Sequence, residues 1–396
     1  MGSLLPKNIC LNNTKLMLVV INMKQYYLDV AATCRPYKEA LDVAYDVAFN
    51  HYGNPSSIHQ LGQDAKEIIE KVRDQIAEDV NCKPQEIIFT NGGVEANTLA
   101  LCGTNFDTII TTQLEHKSIS EILNHHKFTN VYYIPVDESG NIDANILEDT
   151  VKEHNGSIVS VQYANSEIGI CQDIKSISYI AHKYNCILHV DAVQYFPESR
   201  IDVDNLEVDM MSVSAQKFRG GRGAGFLYCK DTIDLSPIIY GSQESYKRGG
   251  TENTPAIAAM GKALEINRGV LHDYTNVCTK FNRDELAAKI LEIPGVYLNG
   301  PPLDANRLYN NISIRIDGVK ANDLVTLASM YGIYISAGSA CSSGEAIPSS
   351  TLKAIGLTDE QALSTIRITV DETLNQHDIS DIVNILKNLI EHLRNS

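Results

Sequence analysis

Lys217 stands just past an apolar run, with Ser212 and Ser214 before it and Gly220, Gly221 and Gly223 after it. A lysine in such a setting can form a Schiff base with a carbonyl cofactor, while Ser214 and the glycines let backbone and hydroxyl approach a phosphate. Asp191 closes another apolar run, Ile187–Val190, 26 residues earlier. A carboxylate buried there is expensive without a cationic partner, and a protonated pyridine nitrogen is such a partner. The pair makes pyridoxal phosphate a candidate cofactor. Each residue alone reads more readily as something ordinary: a solvated loop lysine, an aspartate capping a turn. Cys341 is the third unusual residue. Its surroundings, Ser336 to Glu345, are small, polar and glycine-containing, whereas Cys186 and Cys229 sit in apolar runs. That composition suits an accessible thiol on a mobile loop. Only a few per cent of a free thiol with pKa about 8.5 is thiolate at neutral pH, but thiolate is a strong nucleophile.

These residues need elements to hold them. Short apolar runs alternate with helical periodicity through the middle of the chain, the pattern of β-α units around a mostly parallel sheet. Strands are expected at Glu86–Thr90, Thr108–Thr112, Val131–Ile134, Ile158–Tyr163, Ile187–Val190, Met210–Val213 and Gly225–Tyr228, with helices such as Gly62–Asp79 and Lys175–Tyr184 between them. Gly92 and Gly93 follow the first strand and open a helical stretch, Val94–Leu101. Such a junction offers free N–H groups and a positive dipole end to a phosphate. Beyond about residue 255 the pattern changes. A helical region, Pro255–Leu291, leads to strands Asn311–Ile316, Ile333–Ser336 and Ser364–Val370, with helices Ser350–Ile355, Asp359–Leu363 and Asp378–Leu393. The expected class is α/β with a second, smaller α+β domain. The large domain spans 37–275, the small one 23–36 and 276–396, and 1–22 form a poorly ordered extension.

Composition bounds the function. The 396 residues are 44% hydrophobic and 21% charged, ordinary for a globular enzyme with a sizeable core. The longest apolar run, Leu16–Ile21, is far short of the roughly 18–20 residues that span a bilayer. A formal charge of −16 disfavours nucleic acid. The nine cysteines are dispersed, without zinc-type spacing, which points to no metal and to a reducing compartment. No secretory signal is evident, and a cytoplasmic enzyme is expected.

Eight short blocks in order then resemble the cysteine desulfurases of the NifS/IscS-like family, fold-type-I pyridoxal phosphate enzymes of the class V aminotransferases. The match begins at Tyr27–Thr33 and runs to the last helix. It includes Gly53–Ser57, Glu86–Glu95, Glu115–Lys117, Asn165–Gly169, His189–Asp191, Arg248–Asn253, Ser336–Cys341 and Ser364–Arg367. The resemblance implies roles. Lys217 is the Schiff-base lysine, Asp191 holds the pyridinium proton, and His116 stacks on the ring and serves in acid/base steps. Gln194 bonds the ring 3-oxygen, and Asn165 lies near that oxygen and the substrate carboxylate. Gly92, Gly93, Val94, Ser214 and Gln216 surround the phosphate. Arg367 grips the α-carboxylate, where a planar fork outperforms lysine. Thr251 reaches across a homodimer interface to the partner's cofactor phosphate. Cys341 takes the sulfur of L-cysteine as a persulfide, leaving L-alanine, and passes it to an acceptor protein such as an iron–sulfur scaffold or thiolation carrier.

Three positions depart from that pattern. Val94 stands where a phosphate-binding Thr is common, Gln216 replaces the His before the lysine, and Ser245 replaces a basic residue. Uncompensated, they weaken cofactor binding by roughly 1–2 kcal/mol. The departures keep two alternatives open: a related lyase acting on selenocysteine or cysteine sulfinate, and a weakened sulfur carrier or scaffold.

Overall fold

A computed structural model describes residues 24–125, 128–269, 272–338 and 347–396, with the side chains of 272–275 left undescribed. The expectations for residues 1–22 and for Cys341 therefore lie outside the described residues.

Thirteen strands occur among them. The chain opens with β1 (Tyr26–Tyr27), then runs through β2 (Ile87–Thr90), β3 (Thr108–Thr112), β4 (Asn130–Ile134), β5 (Ile158–Gln162), β6 (Ile187–Asp191), β7 (Met210–Ser214) and β8 (Gly225–Cys229). Strands β2 to β8 form one seven-stranded sheet in the order β2-β8-β7-β6-β5-β3-β4. The β3/β4, β3/β5, β5/β6 and β6/β7 pairs are parallel. Only β8 runs against its neighbours β7 and β2. β5 to β8 are buried along their whole length, apart from the half-buried first residue of β6, which is why the sequence shows continuous apolar runs instead of alternation. One core, including Ile76, Val161, Val190 and Phe226, fills one face; another, including Leu99, Ile109 and Met210, fills the opposite face.

The remaining strands are β9 (Val296–Leu298), β10 (Asn311–Ile316), β11 (Ile333–Tyr334), β12 (Ser336–Ala337) and β13 (Thr365–Thr369). They build a four-stranded antiparallel sheet, β12-β13-β10-β9, and a parallel pair, β1-β11, around a separate core including Ile314, Leu324, Ile368 and Leu386. Two expectations are corrected here. The strand expected at Ile333–Ser336 is two strands broken at Ile335, one pairing with β1 and the other with β13. The helical region expected at Pro255–Leu291 is two helices, Thr254–Asn267 and His272–Leu291; the first packs on the large-sheet core and the second on the small-sheet core. A fourth apolar cluster, with Leu114, Ile168, Leu352 and Ile355, joins the two halves beside the site described next.

Candidate active site

The ends of the parallel strands converge on one cavity of about 580 Å³. This is where ligands sit in open α/β sheets, because the loops leaving the strand C-termini point one way. β6 delivers Asp191, β7 delivers Ser214 and then Gln216 and Lys217, the turn after β3 delivers His116, and β5 leads to Asn165. From the second sheet, β13 contributes Arg367 to the same cavity. Val94 and Gln194 also line it, as does Gly93 at the start of helix Gly93–Cys102.

Asp191 is 5% exposed and forms no ion pair within 4.0 Å among the described residues. Its Oδ2 accepts from Asn97 Nδ2 at 2.8 Å and its Oδ1 from the Val193 N–H at 3.0 Å. Asn97 spends its other amide hydrogen on Ser118 Oγ at 2.9 Å, and Ser118 Oγ lies 2.8 Å from His116 Nδ1. The orientation of that amide is fixed, since the flipped form would set its oxygen against a carboxylate. The Ser118 N–H also donates to His116 Nδ1 at 3.1 Å, so the neutral ring carries its proton on Nε2. Desolvation by the cavity walls lowers the His116 pKa, outweighing the attraction of Asp191. Sequence reading missed Asn97 and Ser118. A signal existed for Asn97: four residues after Gly93 on one helix, it faces the same way.

Lys217 Nζ donates to the carbonyl oxygens of Ala31 at 2.6 Å and Ala32 at 2.8 Å, and burial holds its pKa below the ordinary lysine range. Gln194 Nε2 donates to the same Ala31 oxygen at 3.1 Å. Asn165 is buried and its amide is already committed: Nδ2 to Leu114 O and Thr351 Oγ1, Oδ1 from the N–H groups of Glu167 and Ile168. It pins the turn after β5. Any contact with a ligand would have to displace the 3.3 Å bond to Thr351. Glu115, which also lines the cavity, is another residue the sequence reading did not single out. Its Oε1 accepts from Thr112 Oγ1 at 2.8 Å, its Oε2 has no partner, and burial pushes its pKa up to about 8.

A second hollow continues past Gly93 and is shared by Gly92, Val94, Ser214 and Gln216. Gly92 adopts φ +148° and caps the helix without a side-chain bond, leaving first-turn N–H groups for an anion. A Cβ on Gly93 would come within 2.7 Å of Val193 Cγ2, so only glycine keeps the approach open. Glu95 in that first turn would repel an anion, but Arg248 Nε holds its Oε1 at 2.7 Å. Val94 is 62% exposed at this hollow and supplies no hydroxyl. Thr251 is exposed and lines neither hollow of this chain. Ser245 is exposed and lies in a turn where Glu244, Ser245 and Tyr246 all have positive φ.

The donor set fits pyridoxal phosphate. The buried Asp191 carboxylate needs a cation, Lys217 lies across the same cavity, and an uncapped helix start with Ser214 beside it suits a phosphate. A mostly parallel sheet with this site at its strand ends defines a pyridoxal phosphate enzyme of the class V aminotransferase type, and the class V aminotransferase family model matches residues 26–382. A cysteine desulfurase IscS of Dictyoglomus turgidum is 36% identical over 382 residues, covering 94% of this chain and 96% of its own. A NifS-like protein of solved structure superposes with a TM-score of 0.86 at 29% identity, covering 93% of this chain and 100% of its own. SspA, solved in complex with cysteine, does so with a TM-score of 0.76 at 29% identity, covering 88% and 99%. The chain belongs to the cysteine desulfurase family, and its cofactor is pyridoxal 5'-phosphate.

Proposed function

We propose that the chain converts L-cysteine to L-alanine and takes the sulfur onto Cys341 as a persulfide for delivery to an acceptor protein. The observation that carries this reading is a single cavity holding Asp191, Lys217 and Arg367, with both described ends of the Cys341 segment, Gly338 and Ile347, on its wall. Cys341 is three residues along the chain from Gly338.

When bound, the cofactor supplies a carbonyl that condenses with amines and a ring that accepts electrons. The protein's own groups do the rest. Asp191, held by Asn97 and Val193, keeps a proton on the ring nitrogen. Lys217, whose pKa burial lowers, can in its neutral form take a proton from the substrate Cα. His116 presents Nε2–H to the cavity and donates there. Arg367 orients the substrate carboxylate. The Cys341 thiolate attacks the substrate sulfur; the C–S electron pair stays with Cβ, which is protonated to complete alanine. Val94, Gln216 and Ser245 leave these groups in place, so they bear on cofactor retention and not on the reaction class.

Around the site we place Thr251 against the cofactor phosphate of a partner subunit, in a homodimer. The seven described cysteines are all free, and no described helix is long and apolar enough to cross a membrane; a cytoplasmic setting suits the free thiols. An iron–sulfur scaffold or a thiolation carrier is the class of acceptor.

The test is intact mass after L-cysteine is added to the holoenzyme, beside Cys341→Ser, with alanine counted. The wild type is expected to gain about 32 Da per persulfide, and Cys341→Ser none. Alanine formed without a Cys341-dependent adduct would reassign the chain to lyase chemistry. No alanine from cofactor-loaded protein would leave a carrier or scaffold.

A further inference from the structure

Arg367 does not face the cavity unaided. Its Nη2 lies 2.7 Å from Asp29 Oδ1, its Nη1 has only a 3.5 Å contact with Ser166 O, and its Nε is buried with no acceptor. Arg367 lines the cavity; Asp29 does not. The carboxylate thus approaches the guanidinium from outside and leaves Nη1, with its one long contact, for something inside.

We infer that Asp29 is the positioning residue for substrate recognition, fixing the Arg367 guanidinium so that its Nη1 meets the α-carboxylate of the amino acid. The inference rests on the reading that Arg367 binds that carboxylate. Asp29 is well placed for the task because its own backbone is held from two sides. It bridges Thr369, two residues beyond Arg367 on β13. The Thr369 N–H donates to Leu28 O at 2.8 Å, and the Ala31 N–H donates to Thr369 Oγ1 at 3.0 Å. Arg367 and its restraint are therefore locked to the same strand edge. A flexible arginine loses less entropy on binding when a second charged group already fixes it. The same short segment accepts Lys217 and Gln194 on its Ala31 and Ala32 carbonyls, so residues 29–32 link the carboxylate grip to the reactive lysine.

An anion beside Arg367 has an opposite possible effect: it weakens the field felt by a carboxylate. The two effects give opposite signs on removal, which makes the inference testable. Holoenzymes carrying Asp29→Asn, Asp29→Glu and Arg367→Ala are compared for KM and kcat with L-cysteine. Calorimetric titration with L-alanine and with ethylamine, which lacks the carboxylate, gives a second readout without turnover. Positioning predicts that Asp29→Asn raises KM at least tenfold with kcat within threefold, and weakens L-alanine but not ethylamine. Asp29→Glu is expected within threefold of wild type. A KM unchanged or lowered in Asp29→Asn, while Arg367→Ala is impaired, overturns the role of Asp29 alone. Loss confined to kcat, or loss of bound cofactor in both Asp29 variants, overturns it as well. An unchanged KM and L-alanine affinity in Arg367→Ala would instead remove the carboxylate reading on which it stands.

Discussion

At the scale of single residues, the site is built by burying groups whose charge the fold then controls. Glu115 is the clearest example: it is 8% exposed, bonded only through Oε1 in the side-chain network, and has its pKa pushed up to about 8 by burial, with Asp191 adding to the shift. The folded chain keeps this proton up to about pH 8, while the unfolded chain releases it near the ordinary value of 4.5. Its contribution to stability is therefore complete below about pH 4.5 and is lost as pH rises to about 8, by about 1.4 kcal/mol per pH unit inside that window. Glu115→Gln keeps an oxygen for Thr112 and has no proton to lose. Urea unfolding at pH 5 and pH 7.5 is expected to show a smaller loss of stability with pH in the variant than in the wild type. Some slope will persist, because burial also raises Glu167 and Glu198. Identical slopes in the two proteins would mean that Glu115 is already ionised in the fold. The same logic keeps His116 neutral, with its proton on the nitrogen that faces the cavity.

At the scale of elements, the phosphate end of the site depends on how closely β8 approaches the turn before helix Gly93–Cys102. A Cβ on Gly225 would fall 2.5 Å from Val213 O and 2.7 Å from Gly92 Cα, both backbone atoms that cannot swing away. Gly225→Ala must push β8 from β7 or shift Gly92. Overpacking of this kind costs about 1–3 kcal/mol. A lower melting temperature is expected together with faster loss of cofactor on dialysis; a variant matching wild type in both would show that the junction has slack. The same elements explain what the sequence made legible. β5, β6, β7 and β8 stand out because strands buried on both faces are largely apolar runs, and their ends mark Asp191, Ser214 and Lys217. Helix Lys38–Asn50 and helix Ala321–Met330 did not stand out, since no motif residue lies on either. The break between β11 and β12 was illegible because it is set by two different partner strands, β1 and β13, far away in sequence. Asn97 and Asp29 escaped for a related reason. Each acts by touching a recognised residue, Asp191 or Arg367, and that adjacency exists only after folding.

At the scale of the whole molecule, one face of this chain is unfinished. Helix Lys38–Asn50 leaves Leu41, Tyr45 and Phe49 exposed at intervals of four, with the Tyr45 and Phe49 rings stacked at 6.2 Å. Tyr52 is 72% exposed and Ile58 97%. Pro55 and Ser56 share a hollow with Gln243 and Ser245, next to the exposed Tyr240 and Tyr246, so these apolar groups belong with the turn that carries Arg248 and Thr251. Apolar exposure of this extent marks an interaction surface, and a twofold dimer would bury the same patch on both copies. In the dimer proposed above, Thr251 of one copy would reach the phosphate hollow of the other, in keeping with its absence from both hollows described in its own chain. Complementation tests this without dismantling the dimer. Lys217→Ala and Thr251→Glu are each expected to be inactive, the first for want of its amine and the second through repulsion of the phosphate. In a mixed dimer, the chain carrying Thr251→Glu still has Lys217 and receives an intact Thr251 from its partner, so one site of the two is whole. Random mixing on co-expression should restore about a quarter of wild-type activity, since half of the dimers are mixed and each has one good site. If the mixture shows no more activity than its parents, Thr251 acts within its own chain and the exposed face belongs to some other partner.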